Sequence, residues 1–245
     1  MERLDKVICI SQATKKECIQ RAISKEKLIV IPNGIKDELY LPKENKEAIK
    51  KKISVKLNER LEDKKILLTV GRLIERKGIH WFIDSVYPEI INKKKDIMYV
   101  IIGDGIFKKK IQDTIHKNKL DRHIIMPGEV DNEMLRALYN ITDVFVMPNI
   151  PIKGDMEGFG IVALEAASCR VPIVASDCEG IKDCIKDGMN GILIKPYDTI
   201  GFVNAIMKLM KDDNNREEFG KKVRDFTLKN NNWRKIANDY FKILT

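Results

Sequence analysis

Eight short apolar runs, most of them unbroken Val, Ile and Leu, restrict the fold of this chain more than any other feature. They are VICIS (7–11), LIVIP (28–32), ILLTVG (66–71), MYVIIG (98–103), HIIMPG (123–128), VFVMP (144–148), PIVAS (172–176) and GILIK (191–195). A strand with one wet face alternates apolar and polar residues; a run without alternation suits a strand covered on both faces of a parallel sheet. Between these runs lie the helical-period segments HWFIDSVYPEIINKK, FKKKIQDTIHKN, NEMLRALYNI and IVALEAASC. The β-α-β-α rhythm from about 66 to 200 predicts an α/β fold with a doubly wound, Rossmann-like parallel sheet. Ligands in such folds bind beyond the carboxyl ends of the strands, so the loops that follow strands are the ones to read for chemistry.

Composition narrows the class. A chain of 245 residues can bury a sizeable core, as one large domain or one domain plus a piece of another. The first residues, MERLDKVICIS, lack the apolar core of a secretory signal, and no apolar run reaches membrane-spanning length. Cys9, Cys18, Cys169, Cys178 and Cys184 form no C-x-x-C pair and are odd in number, which predicts reduced thiols and a cytoplasmic protein. The net charge of +9 includes Lys50–Lys52, Lys93–Lys95 and Lys108–Lys110, which read as solvated helix ends and faces. A second reading is attraction toward anionic substrates, or toward an anionic membrane surface that the protein meets peripherally. No nucleic acid partner is expected, because no recognition motif is present and no aromatics interleave with the lysines.

Four post-strand loops carry the candidate chemistry. GRLIERKG (71–78) places Gly71, Arg72 and Lys77 at the start of a helix, where cations and free backbone N–H groups make an anion site; a charged turn would look the same. Gly103, Asp104 and Gly105 form a tight turn that by itself says little. In PGEVDNE, Val130 could offer backbone groups to a flat ring, while Asp131 or Asn132 suits a helix cap. In NIPIKGDMEGFG (149–160) a helix begins near Gly160, so Phe159, Gly160 and Ile161 would present unpaired N–H groups. Glu157 precedes that helix and Glu165 lies inside it, separated along the axis by roughly 7–8 Å, about the reach of a diphosphate. Both carboxylates would also be favourable at a helix N-terminus without any ligand.

Together the set G-R-x(4)-K-G, G-D-G, P-G-x-V and E-G-F-G-x(4)-E-A resembles the donor-binding half of retaining glycosyltransferases of the large family-four type, which have the GT-B fold. The likeness runs through essentially the whole chain. It implies a remnant of an acceptor domain over 1–33, a crossover linker over 34–62, a nucleotide-sugar donor-binding domain over 63–212, and C-terminal helices over 213–245 that pack back toward the acceptor domain.

The resemblance also implies roles. Arg72 and Lys77 would grip the diphosphate of a nucleotide-diphosphate sugar, Glu157 would bind hydroxyls of the transferred sugar, and Glu165 the ribose. The amides of Phe159 to Ile161 would line sugar and phosphate, and Val130 would meet the base. No cofactor or metal is implied: cations at Arg72 and Lys77 would stabilise the charge that develops on the leaving phosphate. Two positions depart from the family pattern. A glycine of the loop after PIVAS is Glu179, and a glycine before the VP step is Arg170. The acceptor is not legible. A donor-binding module working with a separate acceptor-domain chain, and a sugar-nucleotide epimerase of the same fold, are the competing readings.

Overall fold

The computed structural model describes residues 4–36, 38, 40–42 and 45–244; residues 1–3, 37, 39, 43, 44 and 245 of the expected units lie outside the described residues. All eight apolar runs form strands. Six of them, β3 (Lys65–Val70), β4 (Ile97–Ile102), β5 (Ile124–Gly128), β6 (Val144–Met147), β7 (Ile173–Ser176) and β8 (Ile192–Ile194), build one parallel sheet in the order β5-β4-β3-β6-β7-β8. The first two, β1 (Val7–Cys9) and β2 (Leu28–Val30), pair in parallel as a separate two-stranded sheet around α1 (Gln12–Gln20).

The missing alternation in sequence has its reason in this layering. Every residue of β4, β6 and β7 is buried. One face of the sheet presents Ile66, Leu68, Val100 and Phe145 to a core shared with α6 (Asn132–Ile141), α7 (Ile161–Ser168) and α10 (Asp213–Asn231). The other presents Leu67, Tyr99, Ile101 and Val146 to a core that includes Phe82 and Phe202. Phe82 opens a π-helical turn, Phe82–Val86, between α3 (Ile79–Trp81) and α4 (Tyr87–Lys93), and Phe202 lies on α9 (Thr199–Lys211). Pro88 lacks the N–H that would close a regular turn onto Asp84, which is a local reason for the π-helical irregularity.

The expected linker contains a further helix, α2 (Lys46–Leu57), which buries Ile53 and packs on α6. At the far end, α10 crosses α7, and the Arg216 guanidinium on it pairs with buried Asp143 at 3.0 Å. The small β1-α1-β2 unit touches the main body where the Gln12 N–H donates to the Asp183 carboxylate at 2.8 Å. A Cβ on Gly158 would come within 3.2 Å of the Ile10 side chain, so this unit lies against the loop that precedes α7.

The strand order locates the crevice of the sheet. From β3 the chain winds outward through β4 to β5, then returns to the middle and winds the other way through β6, β7 and β8. The direction reverses between β3 and β6, and a crevice opens beyond their carboxyl ends. The loops that meet there are 71–78 and 148–160.

Candidate active site

The two loops at the reversal point are locked together. Ile150 N–H donates to Arg76 C=O at 2.9 Å, and a Cβ on Gly78 would lie 1.9 Å from Pro148 C=O. Gly78 also has φ +64, so only glycine meets both the backbone angle and the close approach. The neighbouring turns join the same frame: Leu73 N–H donates to Asp104 C=O at 2.8 Å and Gly103 N–H to Gly128 C=O at 2.9 Å. Asp104 itself accepts from the Gly105 N–H and from Lys108, whose ammonium holds its carboxyl below the usual carboxylate range.

Glu157 is the centre of the site. It is 7% exposed, and its Oε2 accepts from Arg76 Nη1 at 2.7 Å, from Lys77 Nζ at 2.5 Å and from Asn149 Nδ2 at 3.0 Å. Oε1 has no hydrogen-bond partner among the described residues. Arg76 is also buried, at 6% exposed, and its Nε donates to Asp155 Oδ1 at 2.9 Å. Burial alone would raise the pKa of Glu157, but the two cations and their hydrogen bonds outweigh it and hold the carboxyl below its ordinary value. Asn149 is 2% exposed, and its Oδ1 is a buried acceptor without a partner among the described residues.

The other expected residues divide by surroundings. Gly71 stands beside Lys77: a Cβ there would be 3.4 Å from Lys77 Cε. Arg72 is exposed, and its side chain makes no hydrogen bond or ion pair with the described residues. Gly160 takes φ +89 at the start of α7, and the N–H groups of Phe159, Gly160 and Ile161 meet no acceptor among the described residues. Val130 is half-buried against the core, with its backbone N–H and C=O likewise unpaired.

Glu165 faces a different environment from Glu157. The Tyr139 hydroxyl donates to its Oε2 at 2.8 Å, and Tyr40 also bonds to this carboxyl. Burial pushes its pKa up, and the two hydroxyls only partly offset that. The two glutamates therefore sit in separate hydrogen-bond networks, one cationic and one phenolic.

Sequence reasoning missed Arg76, Asn149, Asp155 and Glu179. Arg76 had a signal, as a third cation in the loop that holds Arg72 and Lys77, and so did Glu179, in standing where the family pattern has a glycine; Asn149 and Asp155 had none. Glu179, at φ +46, turns its carboxylate back to accept the Glu157 N–H. The arrangement offers a buried carboxylate with one open oxygen, an exposed guanidinium and a row of free amides. That combination suits a ligand with both hydroxyls and an anionic group.

A family model described as glycosyl transferases group 1 matches residues 42–226. An uncharacterised glycosyltransferase of Methanocaldococcus jannaschii is 29% identical over 95% of this chain and 58% of its own length. A GDP-mannose-dependent alpha-(1-6)-phosphatidylinositol monomannoside mannosyltransferase of Mycolicibacterium smegmatis is 28% identical over 83% of this chain and 52% of its own. The structure of HepE from Anabaena in complex with UDP and glucose matches 98% of this chain and 62% of that one, with a TM-score of 0.84 at 22% identity. The expected GT-B-type fold is thus met. The chain spans between 39% and 58% of the length of the curated relatives it matches.

Proposed function

The chain belongs to the glycosyl transferases group 1 family, and we propose that it binds the donor for a retaining glycosyltransferase that moves a sugar from a nucleotide-diphosphate sugar to an acceptor hydroxyl. The observation that carries this reading is the state of Glu157. Three donors fix one of its oxygens, while the other is left without a partner among the described residues, and the free amides of Phe159 to Ile161 follow it closely in the chain. A carboxylate held in this way is a rigid acceptor for sugar hydroxyls.

Departure of a diphosphate leaves negative charge on its phosphate oxygens and positive charge on the sugar. Arg72, exposed and unpaired among the described residues, supplies a guanidinium able to grip two phosphate oxygens at once. Lys77 adds a second cation, already oriented by Glu157, and the N-terminal amides of α7 add oriented dipoles. In the retaining reaction a leaving-phosphate oxygen takes the acceptor's proton. Glu165, with Tyr139 and Tyr40 behind it, is assigned the ribose hydroxyls, and the unpaired backbone of Val130 the base.

The acceptor is proposed to be a glycan or a lipid-linked sugar, in glycolipid or polysaccharide synthesis. A net charge of +9 favours work at an anionic membrane surface, and no helix among the described residues is long and apolar enough to cross a membrane. The acceptor face is proposed to be completed by a further domain set against the β1-α1-β2 unit, on the same polypeptide or on another.

A thermal-shift panel of UDP-, GDP- and ADP-sugars tests the donor reading. A specific donor at a hundred times its Kd should stabilise by about 2.7 kcal/mol, a rise in Tm of about 5–10 °C for a chain of this size. Arg72→Ala should fold as the wild type does, because the side chain is exposed, yet lose most of the shift. A flat panel with the wild type would overturn the proposal.

A further inference from the structure

The loop after β7 holds a group that the donor reading does not use. Glu179 adopts a left-handed backbone conformation, φ +46, which is strained for a residue with a Cβ. This places its carboxylate on the Glu157 N–H, while the following Gly180 N–H donates to Glu157 C=O at 3.0 Å. Residue 157 is therefore clasped on both of its backbone groups by one short loop. The amides that follow, from Gly158 to Ile161, meet no acceptor among the described residues, and those of Phe159 to Ile161 are the groups to which an anion would come.

We infer that Glu179 is a gate on the diphosphate end of this site, occupying the Glu157 N–H and holding a negative charge beside the amides until the ligand displaces or neutralises it. The inference rests on the donor-site reading above. An ionised Glu179 opposes an incoming diphosphate in two ways: it is a like charge in a partly buried place, and it removes one N–H from the set available. The protonated form has neither effect in full.

The groups facing Glu179 come from three loops. Arg76 arrives from the loop after β3, Asp155 and Glu157 from the loop after β6, and the Cys178 thiol from its own. Burial raises the pKa of Glu179; the charges of Glu157 and Asp155 add to this, while the Glu157 N–H and Arg76 work against it. The neutral form thus becomes populated at a higher pH than for an ordinary glutamate, and diphosphate affinity should rise as pH falls through that value.

Titration calorimetry of wild type, Glu179→Gln and Glu179→Gly with inorganic pyrophosphate, UDP and GDP tests the gate. Glu179→Gln keeps the strained backbone and an acceptor oxygen but removes the charge. At about pH 8 it should bind diphosphates on the order of tenfold more tightly than wild type. The gap should narrow as pH falls, because the wild-type carboxyl takes its proton at a higher pH than an ordinary glutamate does. Glu179→Gly should show at least the same gain, together with a higher Tm from the relieved backbone. Equal affinities with parallel pH profiles would overturn the gate while leaving the donor site standing, and so would a gain in Tm without a gain in affinity. Binding by none of the three proteins would overturn the donor reading and the gate together.

Discussion

Glu157 holds its charge in a place where burial opposes it. Arg76 and Lys77 win that contest, so the folded carboxyl titrates below its ordinary range. For a carboxyl whose folded pKa is depressed, the stabilisation is present above the unfolded value, about pH 4.3, and is lost as pH falls through the folded one. Glu157→Gln should destabilise the fold by about 3 kcal/mol near neutral pH, because it leaves two buried cations facing a neutral partner. Urea unfolding measured across pH should show this deficit shrinking in acid, where wild type loses the same interaction. A deficit that does not change with pH would mean that packing, not charge, sets the cost. The same scale explains why sequence reasoning overlooked Arg76. Arg72 and Arg76 belong to one loop, yet Arg76 is 6% exposed and Arg72 lies at the surface. Nothing local to GRLIERKG distinguishes them; the choice is made by Asp155 and Glu157, which lie about eighty positions away in the chain.

At the scale of elements, α7 is the piece that joins site and core. It runs only from Ile161 to Ser168, begins at the left-handed Gly160 and ends in a turn where Arg170 takes φ +62. The Arg170 N–H donates to Ala167 C=O and the Val171 N–H to Ala166 C=O, so the last carbonyls of the helix are satisfied by that turn. Arg170 makes no hydrogen bond or ion pair with its side chain among the described residues and is exposed. Arg170→Gly should therefore relieve about 1 kcal/mol of backbone cost and raise Tm by about 2–4 °C. An unchanged or lower Tm would show that the side chain stabilises the turn in some other way. The helix start was legible from the glycine pattern EGFG, and the unusual Arg170 from its place before Val-Pro. The π-helical turn at Phe82–Val86 was not, because it reflects the fit of two helical segments around Pro88 against the sheet.

At the scale of the molecule, two sheets of unequal support sit side by side. The central strands β3 and β6 are flanked on both sides by other strands and covered on both faces. The pair β1–β2 has three registered residue pairs and is in part exposed. Opening the small sheet breaks few hydrogen bonds and uncovers little apolar surface. Hydrogen exchange should release the amides of β1 and β2 well before those of β3, β4 and β6. The reverse order, or a single common rate, would mean that the small unit opens only with the whole fold.

By itself the sequence determined the class of fold and the loops in which a ligand site would have to lie. Unbroken apolar runs at regular spacing require strands buried on both faces, and a doubly wound sheet confines ligand chemistry to the loops after them. Those are local and periodic properties, legible from neighbours in the chain. The tertiary structure alone decided which side chains meet. Placing β6 beside β3 closes Arg76 and Lys77 onto Glu157, and bringing β7 alongside sets Glu179 on the Glu157 amide. Contacts across such separations depend on the winding of the sheet and on which of several equivalent charges can be buried with a partner. No local pattern encodes either.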